Sequence, residues 1–165
     1  MTTDKNTVRP KKLPYRKGVG AVLFNAEGKV FVARRLDNPG KYWQMPQGGI
    51  DKGEKPRQAL IREVAEEIGD IRYKVIAKGS SWIAYDLPDK LIGTVWKGKY
   101  RGQKQKWFAL KFTGVDGDID LNATSHPEFS EWKWVDIEEL PALAIPFKRE
   151  LYEKIVSEFR RLASD

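Results

Sequence analysis

The 165-residue chain is predicted to fold as an α+β domain, an α/β/α sandwich with a mixed β-sheet between helices. Three features of the sequence predict it. Short apolar, β-leaning runs recur between Gly, Pro and charged loops; a helical-period segment, Pro56 to Ile68, interrupts them; and a second one, Phe147 to Leu162, closes the chain. A chain of this length buries a core without covalent staples, and 41% hydrophobic with 12% aromatic residues is globular composition.

The first dozen residues are polar, contain Pro10 and lack periodicity, so residues 1–13 are expected to form a loose basic tail and 14–165 one domain. Val19 to Phe24 and Val30 to Ala33 read as strands joined by the hairpin turn Asn25-Ala26-Glu27-Gly28. Pro39 to Gly53, broken by Pro46 and several glycines, reads as an irregular loop. In the first helix Ile61, Val64, Ala65 and Ile68 fall at i, i+3, i+4 and i+7, and Gly69 is placed to end it. Strand-like segments follow at Tyr73 to Ala77, Ser81 to Tyr85, Trp107 to Phe112 and Glu131 to Val135. In the closing helix Leu151, Ile155, Phe159 and Leu162 make an apolar stripe.

Composition removes several chemistries. The absence of Cys excludes disulfides, thiolate nucleophiles and Cys-ligated zinc, and the single histidine, His126, excludes His-rich zinc sites. No apolar run approaches the ~20 residues of a membrane span, and Met1 to Leu13 lacks the apolar stretch of a signal peptide. The expectation is a soluble cytoplasmic protein with no membrane association and no obligate protein partner. The net charge of +7 is unevenly placed: residues 1–41 hold ten Lys/Arg against three Asp/Glu, whereas residues 42–165 hold twenty of each. A later run, Lys97, Lys99, Arg101, Lys104 and Lys106, is either a solvated loop or an attraction for phosphates or nucleic acid.

On the first helix, 100° per residue places Glu63, Glu66 and Glu67 within an arc of about 100° opposite the apolar stripe. Like charges at i, i+3 and i, i+4 weaken a helix by a few tenths of a kcal/mol per pair, and Arg62 screens only part of this. The face is therefore either a solvated acidic surface or a site for hard divalent cations, the latter favoured by the flexible loop Gly48 to Glu54, which can bring backbone oxygens beside the carboxylates.

Gly48, Glu54, Arg62, Glu63, Glu66, Glu67 and Gly69, with apolar Val64, stand at the offsets of the Nudix box, and the chain resembles the Nudix hydrolase superfamily. One position departs: the family has an apolar residue after Gly69, where this chain has Asp70 before Ile71. Outside the box it is similar to the branch of bacterial RNA pyrophosphohydrolases and dinucleoside polyphosphate hydrolases. That likeness runs from about Tyr15 to Phe159, through Tyr15-Arg16, Ala33-Arg34-Arg35, Trp43 to Gly49, Gly102 to Phe108, Pro127-Glu128-Phe129 and Phe147-Lys148-Arg149.

The resemblance implies a loop-helix that binds Mg²⁺ or Mn²⁺, more than one ion, through Glu63, Glu66, Glu67, the loop glycine Gly48 and the distant Glu128. It implies a Glu54–Arg62 ion pair shaping the loop, with Gly48, Gly49 and Gly69 as structural members of the box. Arg16, Arg35, Gln103, Lys104 and Lys106 are the expected phosphate contacts, guanidinium groups suiting phosphate oxygens bidentately and lysines acting as point charges. Tyr85 and Phe147 match positions that stack a nucleobase between rings, a contact worth ~1–3 kcal/mol; Trp107, Phe112, Trp132 and Trp134 are expected to be structural. The implied reaction is in-line attack of water on phosphorus, with Glu66 or Glu128 as base. The implied substrates are 5′-triphosphorylated RNA ends, releasing pyrophosphate, and dinucleoside polyphosphates such as diadenosine tetraphosphate, giving ATP and AMP. A non-catalytic nucleic-acid or nucleotide binder is the alternative class, and the three glutamates argue against it.

Overall fold

The computed structural model describes residues 12–37 and 40–164; the tail expected over residues 1–13 lies almost wholly outside them. Seven strands form one sheet: β1 (Tyr15–Phe24), β2 (Val30–Arg35), β3 (Gln47–Gly49), β4 (Tyr73–Lys78), β5 (Ile83–Asp86), β6 (Gly102–Phe112) and β7 (Phe129–Val135). Helix α1 (Pro56–Ile68) covers one face; α2 (Leu140–Leu143) and α3 (Arg149–Phe159) cover the other.

The axis of the sheet is the parallel pair β1 and β6, in register from Tyr15↔Gly102 to Phe24↔Lys111. The other five strand pairs are antiparallel, in the order β4-β6-β1-β2-β7. Each central strand shares its outer edge between two partners. β6 pairs with β4 along Phe108 to Phe112 and with β5 along Gly102 to Gln105, while β1 pairs with β3 at Gly18 to Gly20 and with β2 at Phe24. The two short strands β3 and β5 thus flank the same end of the sheet, the start of β1 and β6, and the candidate site is built there.

Alternation along the central strands gives two cores. Val19, Ala21 and Leu23 with Phe108 and Leu110 pack under α1 against Leu60, Val64 and Ile68. Val22 and Phe24 with Trp107 and Ala109 pack under α3 against Leu151, Tyr152 and Ile155. A sheet covered on both faces needs near-continuous apolar central strands, which is what Val19 to Phe24 and Trp107 to Leu110 supply. Trp107 and Phe112 are buried, and Trp132 and Trp134 pack on Phe31 at centroid distances of 5.6 and 6.1 Å, so these four aromatics are structural as expected.

Three expectations are corrected. The span of α1 is as predicted, but its inward face is turned by about a quarter of a circle from the stripe read in the sequence. Leu60, Val64, Glu67 and Ile68 are buried, whereas Ile61 is 52% exposed and Ala65 is exposed. The cause is tertiary: β3 and β1 draw the helix in along the side carrying Glu67, whose carboxylate bonds the β3 backbone. The loop Pro39 to Gly53 contains β3, a strand too short to leave a period in the sequence. The basic run is only partly loop, since β6 starts at Gly102 and takes Lys104 and Lys106 into the sheet. At the helix exit Gly69 adopts φ +96°, Asp70 is exposed, and Ile71 supplies the buried apolar residue one position later.

Candidate active site

A cavity of about 640 Å³ opens at the end of the sheet where β3 and β5 attach. Its acidic wall belongs to α1 and the loop before it. Arg62 organises that wall: Nε and Nη2 each donate to Glu54 at 2.9 Å, Nη2 also donates to the Gly49 carbonyl at 2.8 Å, and Nη1 donates to Glu63 at 2.7 Å. The Glu54–Arg62 pair holds the Glu54 carboxyl at about 2, with help from the Asp51 N–H, which donates to it at 2.9 Å. Gly48 is required beside this pair, because a Cβ there would run into the Glu63 carboxylate, and a Cβ on Gly49 would run into the Arg16 guanidinium.

Glu67 is the unusual group. It is 4% exposed; Oε1 accepts the Gln47 N–H at 2.9 Å, and Oε2, equally buried, has no partner among the described residues. Burial first, then the charges of Glu63 and Glu128, raise its pKa well above the ordinary carboxylate value. Glu63 is also raised, by burial, in spite of Arg62. Like charges gathered in a poorly solvated place are destabilising unless a cation joins them. An orphaned carboxylate oxygen with two further carboxylates at hand fits a hard divalent ion. Glu63, Glu67, Glu128 and the Gly48 carbonyl are the groups that could hold one; Glu66, half-exposed and 3.6 Å from Arg62 Nη1, is not among the cavity-lining residues. Among the described residues no three acidic side chains form a ready-made cage, and the Glu63 carboxylate is paired with Arg62.

The opposite wall is basic and aromatic. Arg16 lies over the Trp96 ring at 5.2 Å, and Lys148 Nζ lies 5.3 Å from the centre of the Tyr85 ring. Burial, then the neighbouring Arg35, lower the Lys148 pKa to about 8. Arg35 is committed within the protein: it pairs bidentately with Asp37 at 2.7 and 2.8 Å and lies 4.0 Å from Glu128.

The structure gathers most of the expected site residues, with two corrections. Lys104 and Lys106 do not line the cavity. Alternation along β6 sends Gln103 and Gln105 to the cavity side and the two lysines to the other face, where both lie against Trp82 at 6.0 and 5.6 Å. Tyr85 and Phe147 are not a slot for a base, because their ring centroids are 6.0 Å apart and tilted by 37°; a base inserted between them needs about 7 Å, two contact distances. Tyr85 is buried, which leaves only the far side of Phe147 for stacking.

Lys148 and Trp96 are among the cavity residues absent from the sequence-derived set. Lys148 stands inside the matched string Phe147-Lys148-Arg149, and the turn Pro146–Lys148 points it inward; that string was its one signal. Trp96 had none. It sits in a loop without period, where both it (φ +51°) and Lys97 (φ +57°) adopt left-handed backbone that non-glycine residues rarely take, which brings the indole against Arg16.

The NUDIX domain family model matches residues 14–155. The chain belongs to the NUDIX family. An RNA pyrophosphohydrolase of Rhodospirillum rubrum is 56% identical over 151 residues, covering 92% of this chain and 90% of that protein. One from a Wolbachia of Brugia malayi is 52% identical over 149 residues, covering 90% and 92%. Among solved structures the NUDIX fold recurs in an Escherichia coli dihydroneopterin triphosphate pyrophosphohydrolase (TM-score 0.64, 21% identity, 87% of this chain and 97% of that one). It recurs also in a Caenorhabditis elegans Ap4A hydrolase (TM-score 0.61, 23% identity, 86% and 96%). Among the described residues no helix is long and apolar enough to cross a membrane.

Proposed function

We propose that this NUDIX protein hydrolyses a phosphoanhydride bond in 5′-triphosphorylated RNA ends, leaving a monophosphate end and releasing pyrophosphate. The observation that carries the reading is one cavity lined by the carboxylates Glu63 and Glu128, with the buried Glu67 electrostatically coupled to both, and by the cations Arg16 and Lys148. The names of relatives sharing more than half of their residues over nine-tenths of the chain point to the same substrate. A protein that only bound nucleic acid would gain nothing from three anions facing its ligand.

Divalent cations, Mg²⁺ or Mn²⁺, neutralise polyphosphate charge and lower the pKa of the attacking water when bound. Glu63, Glu66, Glu67, Glu128 and the Gly48 carbonyl are the groups that would hold them. Arg16 and Lys148 take non-bridging phosphate oxygens; Lys148, lowered to about 8, gains its full charge as a phosphate approaches. Water attacks phosphorus in line with the departing oxygen, and its proton passes to Glu66 or Glu128. Phe147 offers a ring for a base.

A dinucleoside polyphosphate is the second reading, favoured by the aromatic groups at the cavity, Trp43, Trp96 and Phe147, which could receive two bases. Turnover of triphosphorylated RNA and of diadenosine tetraphosphate by one preparation, with Mg²⁺ and then with chelator, tests both. Faster metal-dependent release of pyrophosphate from RNA is expected, and no release from either substrate would overturn the reading.

A further inference from the structure

A chain of buried side-chain amides runs beneath the cavity, and its direction is fixed at one end. The Trp107 indole can only donate, and its Nε1–H lies 3.1 Å from Gln105 Oε1. Gln105 therefore turns its NH₂ the other way, donating to Gln103 Oε1 and to Gln47 Oε1, each at 2.6 Å. Both of those amides must then present their own NH₂ groups away from Gln105. Gln103 is wholly buried and lines the cavity, yet its Nε2 meets no acceptor among the described residues.

The strand beneath is shaped for this relay. A Cβ on Gly18 would come 2.8 Å from Gln103 Oε1, and one on Gly20 would come 2.5 Å from the Trp107 ring. Glycines at these positions let β1 lie against the amides. Gln103 is also the register partner of Arg16, the cation proposed to hold phosphate, and both line the cavity.

Gln103 is among the phosphate contacts that the family resemblance implies; we propose that Gln105 and Trp107 are positioning residues that fix its NH₂ as the donor to a non-bridging oxygen of the polyphosphate. The proposal rests on the phosphoanhydride reading above. A buried donor without a partner is unfavourable in the free protein and is satisfied when an anionic oxygen reaches the cavity floor, so the amide favours acceptors over donors at that point. The polarity is set from the core, by a tryptophan that never meets the substrate.

Three variants and two readouts test it. Gln103→Met keeps size and removes the donor; KM for a 5′-triphosphorylated oligoribonucleotide should rise roughly ten- to hundred-fold, the range expected for a hydrogen bond to a charged group. Gln105→Glu leaves the substrate untouched but offers only acceptors, so Gln103 and Gln47 must rotate and show carbonyl oxygens to the cavity; KM should rise at least as much. Trp107→Phe removes the donor that sets the direction and should give a smaller rise with the same sign. In ¹⁵N-labelled wild type, the Gln103 side-chain NH₂ resonances should move on addition of Mg²⁺ and pyrophosphate, and in Gln105→Glu they should not. Folded variants, by circular dichroism, with KM within twofold of wild type, or Gln103 resonances unmoved by pyrophosphate, would overturn the proposal. An inactive wild type would instead overturn the phosphoanhydride reading.

Discussion

Replacing Glu67 by Gln should abolish turnover and make the metal-free protein more stable. In the free protein Glu67 is 4% exposed, has one oxygen satisfied by the Gln47 N–H and the other orphaned, and is raised in pKa by burial and by Glu63 and Glu128. Glutamine keeps the acceptor for Gln47 and puts an NH₂ where the orphaned oxygen faced like charges. Relieving one buried unsatisfied polar group is worth about 1–3 kcal/mol. At about 2–4 °C per kcal/mol for a domain of this size, Tm should rise by about 2–12 °C in chelator. A carboxyl raised in the fold contributes stability fully below its unfolded value near 4.5 and loses it as pH climbs through the folded value. Wild type without metal should therefore weaken as pH rises above 4.5, and Glu67→Gln should weaken less. Magnesium reverses the ranking: at a hundredfold excess over Kd it stabilises wild type by about 2.7 kcal/mol, an increment the variant largely lacks. Thermal unfolding with chelator and with Mg²⁺, beside a turnover assay, reads all of this. A metal-free variant less stable than wild type, or one that turns over normally, would refute the reasoning.

Gly48→Ala puts a methyl group into the Glu63 carboxylate, so metal-dependent turnover should fall at least tenfold, while overpacking costs stability by about 1–3 kcal/mol; Mg²⁺ titration followed by unfolding checks both. Glu54, held at about 2 by Arg62, contributes stability above its unfolded value of 4.5 that is lost as pH falls towards 2. Glu54→Gln should show a flatter stability profile across that window in acid titrations followed by circular dichroism. Since Lys104 and Lys106 face away from the cavity, replacing both with Ala should leave kcat on a short triphosphorylated oligonucleotide within about twofold, as steady-state kinetics will show.

Much of the site was legible because it is local. Helix α1 and the loop before it carry the carboxylates, the arginine and Glu54 within one continuous segment, so spacing put Glu63, Glu66 and Glu67 on one helix face and the match to the box implied the Glu54–Arg62 pair that the structure shows. Glu128, far along the chain, was legible only through resemblance, and the fold brings it opposite Glu67 because β7 runs beside β2 at the sheet end. What failed depended on direction. Strand alternation decides whether a lysine on β6 meets the cavity, and it turned Lys104 and Lys106 outward once Gln103 and Gln105 faced in. Ring separation decides whether two aromatics form a slot, and packing under α3 closed the one between Tyr85 and Phe147.

The sequence by itself determined the two-sided apolar strands, the span of α1, the closing helix and the composition of the acidic box, since each follows from short-range period and spacing. Only the tertiary structure decided which glutamate is buried without a partner, which cations face it and which amide is left with a free donor. Those properties depend on which strand lies against which helix face, and side chains distant in sequence acquire their burial, charge environment and hydrogen-bond direction only when those faces close.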